Sequence, residues 1–269
     1  MSSLSLTVEF LPAPDVGQDA PARLLEGQQV VLVHGLAATA AVTWEQTRWV
    51  RDLHRAGAHL HLVTLPLHDF TPVGPGRVTR LPVASQLTRG IGLVPAIADS
   101  LAEYLQEVGH PVHLLGYSLG AHLVWQLTAN SPRSVLSLTV GGMPLTLHTT
   151  DIHQALANHQ EDLLPPDLAA VLTHSSMSRQ ALLDFTSYRL YPPTGLQDLP
   201  SPLPGHPVLA FAGTKDRIAA DLSDLAALLP AGQTQLLGLE GRTHISCLTS
   251  GSLRSRTIDF LAASTGRKS

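Results

Sequence analysis

The sequence predicts an α/β fold: a mostly parallel sheet with helices on both faces and one inserted segment over an end of the sheet. Three observations lead there. Short β-branched or leucine-rich runs alternate with longer segments of helical period along most of the chain. Those strand runs are apolar throughout rather than alternating, as strands buried on both faces are. The chain has 269 residues, 44% hydrophobic and only 14% charged, which suits one large core and argues against extensive disorder.

Taken in order, LSLTVEFLPA (4–13) reads as an antiparallel edge strand, followed by a loop rich in Pro and Asp. QVVLVH (29–34) is a buried strand, and 40–57 reads as one helix ending at a glycine. HLHLVTL (59–65) is the next strand. Residues 66–91 carry turn formers without a clean period and read as a long loop. An amphipathic helix spans 92–109, with Pro95 tolerable in its first turn. Strand 112–116, helix 119–130 and strand 135–140 follow, then strands 207–213 and 233–239 around helix 221–229. A helix over about 251–262 closes the domain before the polar tail STGRKS. Residues 143–205 break the alternation with short helical segments and the Pro-rich exit YPPTGLQDLPSPLPG. They read as a cap or lid inserted into a core made of 1–142 and 206–269.

A formal charge of −4 gives no electrostatic reason to expect a nucleic acid or an anionic membrane as partner. No apolar run approaches the ~20 residues that span a bilayer, so no membrane insertion is expected. The N-terminus, MSSLSLTVEFLPAP, has neither a basic nor an apolar signal region. The single cysteine, Cys247, rules out an internal disulfide framework and suits a cytoplasmic location.

The chemistry concentrates at the ends of strands. GYSLG (116–120) places Ser118 between Gly116 and Gly120 at a sharp strand-to-helix turn, where the hydroxyl projects from the backbone. A serine needs a base that an acid orients. Among fourteen histidines, topology selects those beyond the carboxyl ends of strands, where open parallel sheets bind their ligands. Asp216 in AFAGTKDRIAA and His244 in LEGRTHIS both lie there, and His244 is the one histidine after Asp216. Asp221 and Asp224 are rival acids that read as helix-capping or solvated residues, and Glu240 reads as a surface carboxylate. An oxyanion needs backbone N–H donors. Leu119, just after the serine, supplies one, and Leu36 in VLVHGLAA (31–38) the other, with Gly35 allowing close approach and His34 bracing the loop. His59 and His61 share a strand face, but Val63 stands where a binuclear site would need an acid, so no metal is implied. His122, one helical turn beyond Ser118, reads as a buried or interfacial residue, and Cys247 and the three tryptophans as packing.

Together, His34–Gly35, the 116–120 turn, Asp216 and His244 make the chain resemble the α/β-hydrolase superfamily over roughly 29–262. The resemblance implies hydrolysis of esters or related acyl bonds of a small-molecule acyl substrate, thioesters included, without a cofactor. Acyl transfer, perhydrolysis, C–C hydrolysis and a ligand-binding homologue are the competing readings. His-Gly-Leu departs from the HGGG of many lipases, and the mixed polar and apolar insertion suggests short to medium acyl groups.

Overall fold

A computed structural model of the chain describes residues 4–15, 21–83, 92–145, 149–190, 206–219, 221–229 and 232–265. Among these, eight strands form one sheet: β1 (Ser5–Leu11), β2 (Gln29–Val33), β3 (His59–Thr64), β4 (Arg77–Pro82), β5 (Val112–Tyr117), β6 (Val135–Gly141), β7 (Val208–Gly213) and β8 (Thr234–Leu239). Their spatial order is β4-β1-β3-β2-β5-β6-β7-β8. From β3 to β8 across the sheet every pairing is parallel, and β1 runs antiparallel to both β3 and β4. β5 sits in the middle with all six residues buried, which is why its sequence shows no alternation.

Two cores lie on the two faces. One packs α2 (Leu93–Val108) and α3 (Leu119–Asn130) on the sheet, and the other packs α1 (Trp49–Arg55) and α8 (Gly251–Thr265). Pro95 is the third residue of α2, where a missing N–H removes no helical bond, and Gly109 ends that helix at φ 72°. α7 (Leu222–Ala227) connects β7 to β8. Among the described residues no helix is long and apolar enough to cross a membrane.

Three expectations need correction. The first strand is antiparallel but not at the edge, because β4, inside the segment read as a loop, covers it through the register Thr7 to Arg80. In RVTRLP only the pairing partner makes a strand, since most of its side chains are exposed, Arg77 and Arg80 among them. Nor is 40–57 one helix. It is a single wide turn at Ala41–Glu45, then α1, with Arg48 between them at φ 72°. Trp44 and Trp49 explain the break. Five residues apart, they would point about 140° from each other on one helix. Here both are fully buried on the same core, edge to face with ring centroids 5.9 Å apart, and Trp49 Nε1–H donates to the Leu248 carbonyl at 3.0 Å.

Residues 143–190 leave the sheet after β6 and return at the start of α2. They carry α4 (Thr149–Asn158), α5 (Pro166–Thr173) and α6 (Arg179–Ser187). The segment is bonded to the core at several points. His122 Nε2 pairs with the Pro144 carbonyl at 2.7 Å, Ser176 N–H donates to the Ala37 carbonyl, and Leu93 and Val94 N–H donate to Arg189 and Leu190. The Pro-rich exit (191–205) lies outside the described residues, as does the end of the polar tail.

Candidate active site

Ser118 stands at the junction of β5 and α3 with φ 55° and ψ −119°, a conformation that L-residues rarely adopt and that costs on the order of 1–3 kcal/mol. The surrounding structure holds it there. Ser118 N–H donates to the Gly141 carbonyl and Ala121 N–H to the Ser118 carbonyl. The two glycines are required by contact rather than by torsion. A Cβ on Gly116 would lie 2.2 Å from the Gly120 carbonyl oxygen, and one on Gly120 would lie 2.1 Å from the Val33 oxygen. Their absence lets α3 start directly against the end of β2, so the Ser118 turn and the 35–38 turn meet. A Cβ on Gly35 would sit 3.0 Å from Ser118 Cβ.

Asp216 and His244 come from the loops after β7 and β8. His244 Nδ1 lies 2.8 Å from Asp216 Oδ2, and the Asp216 side chain is fully buried. The other carboxylate oxygen, Oδ1, accepts the N–H groups of Ile218 and Ala219 at 2.9 and 3.0 Å. Burial acts to raise the Asp216 pKa, but the His244 bond and charge, with the two N–H donors, outweigh it and hold the acid below its ordinary value. The loops are pressed together where Gly213 lacks a side chain, since a Cβ there would be 2.0 Å from the Arg242 carbonyl oxygen. Lys215 N–H to Arg242 O at 2.9 Å and Gly241 N–H to Thr214 Oγ1 at 2.8 Å join them further.

Tyr117, beside the serine, is a residue whose part the sequence did not disclose. Its hydroxyl donates to the His244 carbonyl, and its ring lies 5.1 Å from the His244 ring and 5.9 Å from Phe211. Burial first, then the nearby Cys247 and Asp216, push its pKa well above the ordinary value, so it remains a donor. Cys247 is buried in the same packing, its thiol raised to about 11 chiefly by burial, which keeps it protonated.

His34 is fully buried. Its Nε2 accepts the Leu65 N–H at 3.1 Å, so Nδ1 carries the proton and donates to the Gly35 carbonyl at 2.8 Å. His68, from the segment read as a loop, accepts the Ala37 N–H, donates to the Pro66 carbonyl and meets Phe185 of α6 edge to face. Burial lowers the two to about 4 and about 3 respectively, so both are neutral near pH 7. Between them they fix the 35–37 backbone. Among the described residues neither the Leu36 nor the Leu119 N–H donates a hydrogen bond.

Ser118, His244, Leu36 and Leu119 all line one cavity of about 650 Å³. With Nδ1 engaged by Asp216, Nε2 is the His244 nitrogen left for that cavity. The Ser118 hydroxyl and the His244 ring are not hydrogen-bonded to each other in this structure. The wall opposite the sheet comes from the inserted segment, through Pro144, Ile152, Leu168, Val171 and Leu190. His59 and His61 lie elsewhere: His59 Nδ1 accepts the Ala13 N–H, and His61 bonds Tyr104 and Gln29.

The model of a family described as "Alpha/beta hydrolase family" matches residues 30–251. No curated protein matches the sequence. Solved structures match the fold across nearly the whole chain. One is a carboxylesterase from the thaumarchaeon Nitrososphaera gargenis, 16% identical with TM-score 0.64, covering 98% of this chain and 97% of that one. Another is a thermophilic esterase from Thermogutta terrifontis, 15% identical with TM-score 0.62, covering 97% and 94%. A monoacylglycerol lipase from Paleococcus ferrophilus is 17% identical with TM-score 0.58, covering 89% and 97%.

Proposed function

The chain belongs to the alpha/beta hydrolase family, and from that premise we propose that it is a serine hydrolase of carboxylic esters or related acyl bonds. The observation that carries the reading is the buried His244–Asp216 pair at 2.8 Å, in one cavity with a serine at positive φ. Ser118 Oγ attacks the acyl carbonyl carbon while His244 Nε2 takes the hydroxyl proton. Asp216 accepts from Nδ1–H, which keeps the lone pair on Nε2 and stabilises the imidazolium once it forms. The Leu36 and Leu119 N–H groups, with no other acceptor among the described residues, hold the carbonyl oxygen as it becomes an oxyanion. His244 then protonates the leaving oxygen, the C–O bond breaks and the acyl group stays on Ser118. Water, deprotonated by the same nitrogen, attacks the acyl carbon; the bond to Ser118 Oγ breaks, Nε2 returns the proton to Oγ, and the acid leaves. The missing Ser118–His244 bond is in keeping with a resting enzyme, where such bonds are often long until substrate binds.

The helices of 143–190 act as the lid of the acyl site, and their mixed apolar and polar lining, with Thr149, His174 and Ser176 among Ile152, Leu168 and Val171, favours short to medium acyl groups. The test is kcat/KM for p-nitrophenyl esters of two to sixteen carbons. Hydrolysis should peak at or below ten carbons and fall by at least ~10⁴-fold in Ser118→Ala. Unchanged hydrolysis in that variant would refute the mechanism, and a rise continuing past ten carbons would refute the reading of the lid.

A further inference from the structure

Two walls of the cavity differ in chemistry. The lid wall is mostly aliphatic, with Thr149, His174 and Ser176 as its polar members. The other wall is the wide turn and its exit, which present Thr43, Gln46 and Thr47 beside Val42. Thr43 is only 4% exposed as a residue and lines the cavity, and among the described residues its hydrogen bonds run through its main chain and leave the hydroxyl unengaged. Its other polar groups are occupied: the N–H donates to the Thr39 carbonyl, and the carbonyl accepts the Thr47 hydroxyl. Two buried threonines in the α-helices behave differently. Thr128 and Thr186 spend their hydroxyls on the carbonyl four residues back. The Thr43 hydroxyl makes no such bond, so an unspent donor and acceptor is left on a residue that lines the cavity. Formally charged lining is confined, among the described residues, to the exposed Arg217, and the lining contains no carboxylate, so neutral hydrogen bonding sets the polarity of the wide-turn wall.

We propose that Thr43, flanked by Gln46 and Thr47, is the leaving-group subsite, and that it selects esters whose alcohol carries a hydroxyl close to the scissile oxygen. The inference rests on the hydrolase reading above. A saturated acyl chain offers nothing to a hydroxyl and is accommodated by the mostly aliphatic lid wall. The alcohol is the part of an ester that can satisfy Thr43. A site that leaves such a hydroxyl unpaired with the wrong substrate discriminates against that substrate.

The experiment compares 2-hydroxyethyl hexanoate with propyl hexanoate, which match in size and differ by one hydroxyl. The ratio of their kcat/KM values is divided by the ratio of their hydroxide-catalysed rates. The parent enzyme should favour the hydroxyethyl ester by about tenfold or more on this corrected scale. Thr43→Val, close in shape but without the hydroxyl, should lower the ratio about tenfold, and Thr43→Ser should restore it. A corrected ratio near one in the parent, or the same ratio in parent and Thr43→Val, overturns the proposal. Equal loss in the Val and Ser variants also overturns it, because packing alone would then be responsible. Methyl 6-hydroxyhexanoate and methyl heptanoate form a second pair, and Thr43 dependence in that pair alone would overturn placement on the alcohol side. Hydrolysis of p-nitrophenyl acetate separates the two levels. If it proceeds through Ser118 without the hydroxyl preference, the subsite is wrong and the hydrolase reading stands. If neither it nor the hexanoates are turned over, both fall.

Discussion

Replacing Asp216 with asparagine should silence the enzyme without unfolding it, and the structure shows why. Oδ1 of Asp216 accepts two backbone N–H groups, from Ile218 and Ala219, at 2.9 and 3.0 Å. An asparagine must keep its carbonyl oxygen in that position, because turning the amide would set NH₂ against two donors. The NH₂ group then occupies the place of Oδ2, 2.8 Å from His244 Nδ1. Nδ1 is forced to accept, the ring proton moves to Nε2, and Nε2 can no longer take the serine proton. A tautomer error of this kind is worth about 10⁴ in kcat, or roughly 5.5 kcal/mol at 1.36 kcal/mol per decade. All three hydrogen bonds survive in the variant, so the fold should persist with a stability loss of about 1–2 kcal/mol. The assay pairs kcat on p-nitrophenyl butyrate with thermal unfolding of the same preparations. The exposed Asp221 and Asp224, each changed to asparagine, should stay within twofold of the parent. A kcat for Asp216→Asn within tenfold of the parent, with the fold intact, would refute the orientation argument.

Other consequences follow from the same geometry. Tyr117→Phe removes the donor to the His244 carbonyl and leaves that carbonyl short of a partner. It should cost about 1–3 kcal/mol in urea unfolding and lower kcat more than it raises KM. Gly120→Ala puts a methyl 2.1 Å from the Val33 carbonyl oxygen, so it should lose ~3 kcal/mol or more, read as a fall in the melting temperature. His34 and His122 are buried and neutral with pKa values of about 4, below the ordinary value of 6.5. Between those values the unfolded chain binds protons that the folded one refuses. Stability is therefore full above pH 6.5 and falls as pH drops toward 4, by up to ~3 kcal/mol for each group. Urea midpoints at pH 7.5 and 5 measure the slope, and a flat profile would contradict these neutral histidines.

What the sequence disclosed depended on how local the cause was. Buried parallel strands such as β2 and β5 announce themselves, because burial on both faces demands an unbroken apolar run. β4 does not, since its Arg77 and Arg80 face outward and its strand form comes from pairing with β1. The split of 40–57 follows from two tryptophans competing for one core, a tertiary demand that overrides a helical period. At the candidate site, strand ends and chain order place Ser118, Asp216 and His244 at one end of the sheet, where the structure pairs His244 with Asp216 and lines one cavity with Ser118 and His244. Tyr117 and His68 were not legible. Tyr117 acts through the main chain of a residue 127 positions away, and His68 sits in a stretch without periodicity. Thr43 is likewise invisible in sequence, because its place in the cavity lining comes from the wide turn that replaces the expected helix.

The most direct test of the central claim is covalent. A fluorophosphonate probe reacts with a serine whose hydroxyl is activated by a base, and peptide mass mapping locates the adduct. One adduct is expected, on Ser118, absent in Ser118→Ala and at least ~10²-fold slower to form in His244→Ala. An adduct on another serine, or hydrolysis that survives in Ser118→Ala, would contradict the assignment of Ser118 as nucleophile.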